Sequence, residues 1–394
     1  MRSFRAVPAM AAASLLLTAL CAGHAPAAEA PGRAGVDPAT AQRIDDAVTA
    51  AMKEEGIPGV TVGLWFDRGH GSYVRSFGTA DTATGAPMEP GLHTRIGSVT
   101  KSFTVTAVLQ LVDRGRLRLD DPVSKYLDGV PGGGRITIRQ LAAMRSGLYN
   151  YPSDEAWQAE LRAHPTRSWK PQELLDVAFR HPARFPPGAR WEYSNTNTVL
   201  LGLLVEKLGG QDLSGYLRDH VLEPVGLKDT ALPKGAEIPS PYVHGYTVAG
   251  TPGGKVLDAS RWNPSWGWAA GAMTSTLDDL RTWVPALTGG KLPDGKRLLE
   301  PGTQAQRMEA LPTGLPGVRY GLGVLDVNGW VGHNGELPGY ETIAVRHPQQ
   351  GVVMVVIVNS DIDKDTGSLS NLIGKTVTRI AVPDHLWSVP APSS

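Results

Sequence analysis

Ser98 and Lys101 stand three residues apart at the head of an apolar run. The run passes through Val99, Phe103, Val105, Val108, Leu109, Leu111 and Val112 to Gly115, which predicts a helix ended by a glycine. Residues i and i+3 share a helix face, so the two side chains are expected together at the N-terminal turn. Free backbone N–H groups and the positive end of the helix dipole favour developing negative charge there. A serine hydroxyl is a weak nucleophile until a base takes its proton. A neighbouring lysine is such a base, or holds another base in its working state. Taken alone, S-x-x-K is more often a capped core helix with a solvated lysine, so the rest of the chain must supply partners.

Two further stretches qualify. Tyr193-Ser194-Asn195 follows Pro187-Gly188 in a loop that runs into a helix. A tyrosine beside a lysine ammonium is expected to have a lowered pKa. It would then take the Ser98 proton and later protonate a leaving group. Asn195 would hold Lys101 and a substrate carbonyl. The plainer alternative is a packed aromatic followed by a helix cap. His333-Asn334-Gly335 lies on a predicted strand. A lone strand histidine is more often structural, but the backbone of a strand beside a cleft pairs with an extended substrate. One of its N–H groups joins that of Ser98 as an oxyanion hole, and Gly335 permits the close approach.

The elements that must position these residues follow from periodicity and punctuation. Pro38–Glu55 reads as an amphipathic helix stopped by Gly56 and Pro58. Val60–Phe66 and Ser72–Phe77 read as strands around Arg68-Gly69-His70-Gly71, with His70 a solvated turn residue. Helices separated by Pro/Gly loops dominate residues 120–290, with starts at Leu119–Val123 and Thr137 and segments at Pro171–Phe179, Asn197–Leu208, Leu213–Val221 and Ser275–Leu287. Trp330–Glu336, Tyr340–Arg346 and Val352–Val358 are strands, and Ser368–Ile380 a closing helix. Val352–Val358 is apolar on both faces, as a buried central strand requires. The expectation is an α/β (α+β) fold. Five antiparallel strands from both chain ends carry terminal helices and are interrupted by a helical insertion. A sheet lobe would span about 40–118 and 290–385 and a helical lobe about 119–289, making one domain at 40–385. The cleft between lobes is the natural ligand site.

Composition narrows the class. Arg2 and Arg5, the apolar Ala9–Ala22 and Ala25-Pro26-Ala27 form a signal-peptide pattern at 1–28, with cleavage after Ala27 or Ala28, which makes the protein secreted. Residues 29–39 read as a flexible lead-in. Cys21 is the only cysteine, and bulky Leu20 before it argues against lipid modification. An exported mature chain without disulfides must rely on its core. Removing Arg2 and Arg5 from 38 basic residues leaves 36 against 38 acidic ones, a net charge of −2. That gives no basis for nucleic acid or an anionic membrane as partner. No later run reads as a membrane span. There is no H-E-x-x-H, paired-cysteine, G-x-G-x-x-G or P-loop pattern, so neither a metal nor a cofactor is expected.

Together, Ser98-Val99-Thr100-Lys101, Tyr193-Ser194-Asn195 and Gly332-His333-Asn334-Gly335 resemble the penicillin-recognising serine hydrolases. The likeness is closest to secreted actinomycete D-alanyl-D-alanine carboxypeptidases, class C β-lactamases and related esterases and D-peptidases. It extends to Arg145-Ser146-Gly147-Leu148-Tyr149, Ala270-Gly271-Ala272-Met273-Thr274-Ser275-Thr276 and Tyr320-Gly321-Leu322-Gly323, nearly the whole mature chain. The resemblance implies a β-lactamase/DD-peptidase-like fold with Ser98 as nucleophile. Lys101 and Tyr193 would share the proton work, the primary base being left open. Asn195 would position, and the N–H groups of Ser98 and Glu336 would form the oxyanion hole. Trp266 or Trp268, with Tyr149 and Tyr151, would line the cleft, alongside His333, Asn334, Gly335 and Glu336 as substrate-binding positions.

The third motif departs from the family. Carboxypeptidases of this branch carry a hydroxyl residue in its middle, and class C β-lactamases begin it with lysine. Here Asn334 and Glu336 stand instead, and Tyr320–Gly332 contains no arginine. A free substrate carboxylate prefers hydroxyls and a cation. The leading expectation is still an acyl-enzyme D-alanyl-D-alanine carboxypeptidase on peptidoglycan-type peptides. A β-lactamase, esterase or D-aminopeptidase/amidase of the same fold stays open, as does a non-catalytic cell-wall or β-lactam-binding module. Partners would be a small peptide, ester or β-lactam and cell-wall peptidoglycan, and the chain is expected to be monomeric.

Overall fold

The computed structural model describes residues 36–67, 71–364 and 367–390. The signal segment at 1–28, residues 29–35 of the lead-in and the turn residue His70 lie outside them. The first helix spans Pro38–Glu55: Asp37 caps it by accepting from Thr40 N–H at 3.0 Å, Pro38 occupies the first turn, and Gly56 closes it at φ 77°. Pro38 and Ala39 of the expected lead-in are therefore helical.

Nine strands, not five, form the main sheet among the described residues. Their order is Ala86–Pro87, Ser72–Asp81, Gly59–Phe66, Val352–Val358, Tyr340–His347, Trp330–Leu337, Leu325–Val327, Val318–Tyr320, Leu311–Pro312. All neighbours are antiparallel. The five expected strands are the contiguous centre. The four added ones are two or three residues long, too short to show a period-2 pattern.

Alternation on the central strand assigns the layers. Val352, Met354, Val356 and Val358 pack with Ile44, Val48, Leu369, Ile373 and Val377 of the two terminal helices. Val353, Val355 and Ile357 belong to the larger core on the opposite face, with Phe103, Val105, Val108 and Trp283. A strand with both faces buried must be apolar at every position, as this one is.

The Ser98 helix runs Thr100–Asp113 and is preceded by a 3-10 turn at Gly97–Val99. It is buried all round, consistent with its unbroken apolar run. Thr137 and Gln140 form a reciprocal capping box on Ile138–Ala142. Two helix expectations need correction. Leu119–Val123 opens no helix but a single turn at Val123–Lys125, because Asp121 accepts from Arg118 N–H at 3.0 Å and so caps a turn instead. Leu213–Leu217 is α-helical, but the chain then widens into a π turn at Arg218–Leu222.

Candidate active site

Ser98 sits in the 3-10 turn at the mouth of its helix, partly exposed, while Lys101 is fully buried one turn on. Lys101 Nζ lies 2.9 Å from Ser98 Oγ and donates to the carbonyl of Ala270 at 2.7 Å. Burial alone drives its pKa well below the ordinary lysine range. Deprotonated, an amine with one N–H on Ala270 has a lone pair free to accept from the Ser98 hydroxyl.

The Ala270 carbonyl is held by stitching to the Ser98 segment. Thr94–Arg95 pairs with Thr274–Ser275, Ile96 N–H donates to Met273 O at 3.1 Å, and Met273 N–H donates to Thr100 Oγ1 at 3.2 Å. Thr104 Oγ1 donates to Ala269 O at 2.7 Å. Behind the helix, Trp283 stacks on Phe103 with centroids 4.0 Å apart and donates to Ser102 Oγ at 2.9 Å.

Tyr193 enters from the loop before the helix Asn195–Gly209. Its ring centroid is 4.8 Å from Lys101 Nζ. The expectation of an acidified phenol is overturned: burial raises the Tyr193 pKa, a hydrogen bond with Ser98 opposes only part of this, and the Glu336 charge adds to it. Lys101 is buried and Tyr193 half-buried beside it, and desolvation disfavours the charged form of each. The arrangement therefore favours the neutral form of both the amine and the phenol.

The Tyr193 loop is pinned by the Arg145–Tyr149 motif. Ser146 Oγ donates to Asn197 Oδ1 at 2.5 Å, Thr196 Oγ1 donates to Tyr149 O at 2.7 Å, and Asn195 N–H donates to Asn150 Oδ1 at 2.8 Å. Asn195 lines the cleft, and its Oδ1 is enclosed with no hydrogen-bond partner.

The strand Trp330–Leu337 closes the other side. A Cβ on Gly335 would lie 2.0 Å from Ile96 O and 2.7 Å from Ser98 N. One on Gly97, itself at φ 49°, would lie 2.5 Å from Glu336 N. Only two glycines let these backbones meet, and the meeting brings the N–H groups of Ser98 and Glu336 to the same edge. This is the arrangement of donors an oxyanion needs.

Asn334 and Glu336 alternate onto one face of that strand and line the cleft; Gly335 lines it with backbone. His333 does not line it. It is 1% exposed, bonded through Nε2 to Tyr320 OH at 3.1 Å and through Nδ1 to Asn334 O at 2.5 Å. A carbonyl only accepts, so Nδ1 carries the proton and Tyr320 donates to Nε2. Burial and the Lys101 charge hold its pKa down to about 3, so the ring is neutral. It is a prop beneath the strand, 6.3 Å between centroids from Tyr193, rather than a substrate contact.

The cleft has a volume of about 620 Å³. Trp266 lines it and Trp268 does not; Trp268 packs toward Gly202. Tyr149 stacks on His181, and Tyr151 is buried with its hydroxyl on Trp266 O at 2.5 Å, so both support the wall without lining it. Asn150, Trp191, Leu325 and Asp361 are lining residues that sequence reasoning missed. Asp361 had a readable signal: it follows the all-apolar central strand at the end bearing Glu336. No described group of His, Cys, Asp and Glu side chains could hold a metal ion, and no described helix is long and apolar enough to cross a membrane.

Known proteins resemble this chain in sequence and in fold. Among curated relatives, protein flp of Staphylococcus aureus strain MW2 is 28% identical over 330 residues, covering 81% of this chain; the chain spans only 63% of that protein's length. Among solved structures, a D-stereospecific amidohydrolase from Streptomyces sp. matches with a TM-score of 0.76 at 31% identity, over 87% of this chain and 98% of that one. D-amino acid amidase from Ochrobactrum anthropi SV3 matches with a TM-score of 0.75 at 29% identity, over 87% and 97%. The expected monomer gains no support: a neighbour alike in fold, at 24% identity, is an octameric penicillin-binding protein homologue from Pyrococcus abyssi. The profile described as Beta-lactamase matches residues 44–376, and the chain belongs to that family, among the penicillin-recognising serine hydrolases.

Proposed function

We propose that this protein hydrolyses small amides through an acyl-enzyme on Ser98, and that its acyl donors are D-amino-acid derivatives. The observation that carries the reading is the buried, deprotonation-prone Lys101 with Nζ 2.9 Å from Ser98 Oγ. Lys101 takes the Ser98 proton as Oγ bonds to the substrate carbonyl carbon. The N–H groups of Ser98 and Glu336 hold the resulting oxyanion. Collapse breaks the C–N bond, and the departing amine takes the proton from Lys101 by way of the Tyr193 hydroxyl. Water then attacks the acyl ester and gives its proton to the same pair; collapse breaks the C–Oγ bond, and Ser98 Oγ takes that proton back as the acid leaves. Lys101 is the primary base, because burial disfavours the tyrosinate and the ammonium alike.

Amides are favoured over a D-alanyl-D-alanine carboxypeptidase substrate for two reasons. The two solved neighbours reported above at 31% and 29% identity are a D-stereospecific amidohydrolase and a D-amino acid amidase. The residues lining the cleft include no Lys, Arg or His to bind a terminal carboxylate. A panel containing a D-amino-acid amide, a D-Ala-D-Ala peptide, a short-chain ester and a cephalosporin tests this, with Ser98→Ala as control. Faster Ser98-dependent turnover of the D-Ala-D-Ala peptide than of the amide would overturn the substrate assignment. We also propose export directed by residues 1–28; sequencing the N-terminus of protein recovered from the medium checks it, and an N-terminus at Met1 would refute it.

A further inference from the structure

We infer that Glu336 and Asp361 form an ammonium-binding subsite in the cleft, so that the substrate must carry a free α-amino group and peptides are read from their N-terminal end. This rests on the acyl-Ser98 reading and deepens it.

Four observations converge. First, Glu336 stands on the strand Trp330–Leu337 with its side chain exposed to the cleft, and Asp361 lines the same cleft beyond the end of Val352–Val358. Second, no described lining residue is basic, so Glu336 meets no compensating cation among the cleft walls, while Asp361 accepts from Thr247 Oγ1 at 3.0 Å through Oδ2 and its Oδ1 is enclosed without a partner. Third, the enclosed Oδ1 of Asn195 is a further acceptor in that cleft with no partner. An ammonium group has three donors and no acceptor, which suits a site of carboxylate and amide oxygens. Fourth, covalent geometry couples the two ends of Glu336. If its N–H holds the substrate carbonyl oxygen, the α-amino nitrogen is only two bonds beyond the carbonyl carbon. The carboxylate of the same residue, carried on Cβ and Cγ, is long enough to reach it.

The surroundings sharpen the charge requirement. Glu341 lies directly across from Glu336 on the neighbouring strand. Desolvation, Glu341, Asp361 and Asp363 together push the Glu336 pKa up to about 7, and burial with Glu341 pushes Asp361 up to about 6. Tyr193 faces Glu336 from the helical side and feels its charge. A neutral or anionic ligand leaves this mutual repulsion in place. A bound ammonium relieves it and returns both groups to the ionised form.

The test is calorimetric binding to the Ser98→Ala protein, which isolates recognition from turnover. D-alaninamide should bind at least about tenfold more tightly than N-acetyl-D-alaninamide, the scale of one charge-assisted hydrogen bond. Glu336→Gln in the same background should bring that ratio close to one, and Asp361→Asn should lower it. D-alaninamide binding should weaken as pH falls through about 7 while N-acetyl-D-alaninamide binding stays flat. Equal binding of the two amides, no detectable binding of either, or a ratio unchanged in both variants overturns the subsite. Failure of the acyl-serine reading has a different signature: binding discriminates as described, yet no substrate in the panel shows Ser98-dependent turnover.

Discussion

Replacing Gly335 by alanine tests whether the oxyanion hole is built by two backbones in contact. The added methyl carbon would sit 2.0 Å from Ile96 O, whereas an ordinary C···O contact is about 3.3 Å. The strand Trp330–Leu337 or the Ser98 turn must therefore retreat by about 1.3 Å. Neither neighbour is a flexible side chain that can swing away, since the contacts fall on Ile96 O, Ser98 N and Gly97 C. The retreat separates Glu336 N–H from Ser98 N–H. Loss of one oxyanion donor costs about 10²–10³ in kcat, or about 2.7–4 kcal/mol of transition-state stabilisation. The assay is kcat for a D-amino-acid amide and for a short-chain ester, with a far-UV melt to verify folding. Both substrates should lose about 10²-fold or more, because both pass through the same oxyanion, while KM changes less. A folded Gly335→Ala protein with kcat within about threefold of wild type would refute the backbone-contact argument.

Three further outcomes follow from the same geometry. Tyr193→Phe removes one hydroxyl from the proton path and should lower kcat by about 10²–10⁴ with little change in stability; near-normal turnover in a steady-state assay removes Tyr193 from the mechanism. On the proposed mechanism Lys101 works as the free amine, so the wild-type kcat/KM for an uncharged ester should rise with pH through a lysine pKa well below the ordinary range. Lys101→Met should lose both that rise and about 10² or more in rate, and a pH–rate profile that survives the substitution contradicts the assignment. Glu341 is 3% exposed and accepts from Ser368 Oγ, Leu369 N–H and Ser370 N–H at 2.5, 3.2 and 2.8 Å, at the start of the last helix. Glu341→Ala should cost about 2–4 kcal/mol in a urea titration, somewhat offset by relief of Glu336, and a cost below about 0.5 kcal/mol would refute the capping role.

Much of the centre of the fold was legible because its signals are local. Pro38–Glu55 has a capping aspartate, an early proline, a buried stripe and a terminal glycine, and its bounds agree with the sequence reading. Val352–Val358 declares itself by being apolar throughout. The strands Val318–Tyr320 and Leu325–Val327 were invisible because three residues in a glycine-rich stretch carry no periodicity; they form only by pairing with the strand beside them. In the site, motif order identified the residues that come together but not their electrostatics. The direction of the Tyr193 shift depends on burial, which spacing does not encode. The same holds for His333, whose motif position suggested the cleft while its side chain alternates to the buried face. Asn150 was missed because a loop, which carries no periodic signal, brings it to the cleft; Asp361 was missed although the all-apolar strand before it marks its end of the sheet.

The central claim is a covalent acyl group on Ser98. Intact-mass spectrometry of protein quenched during turnover of a slowly deacylating ester measures it directly, with peptide mapping to locate the adduct. The mass should rise by one acyl group, mapped to the peptide containing Ser98, and Ser98→Ala should show no increase. An adduct that persists in Ser98→Ala, or turnover without an adduct at Ser98 under conditions where deacylation limits the rate, would contradict the account.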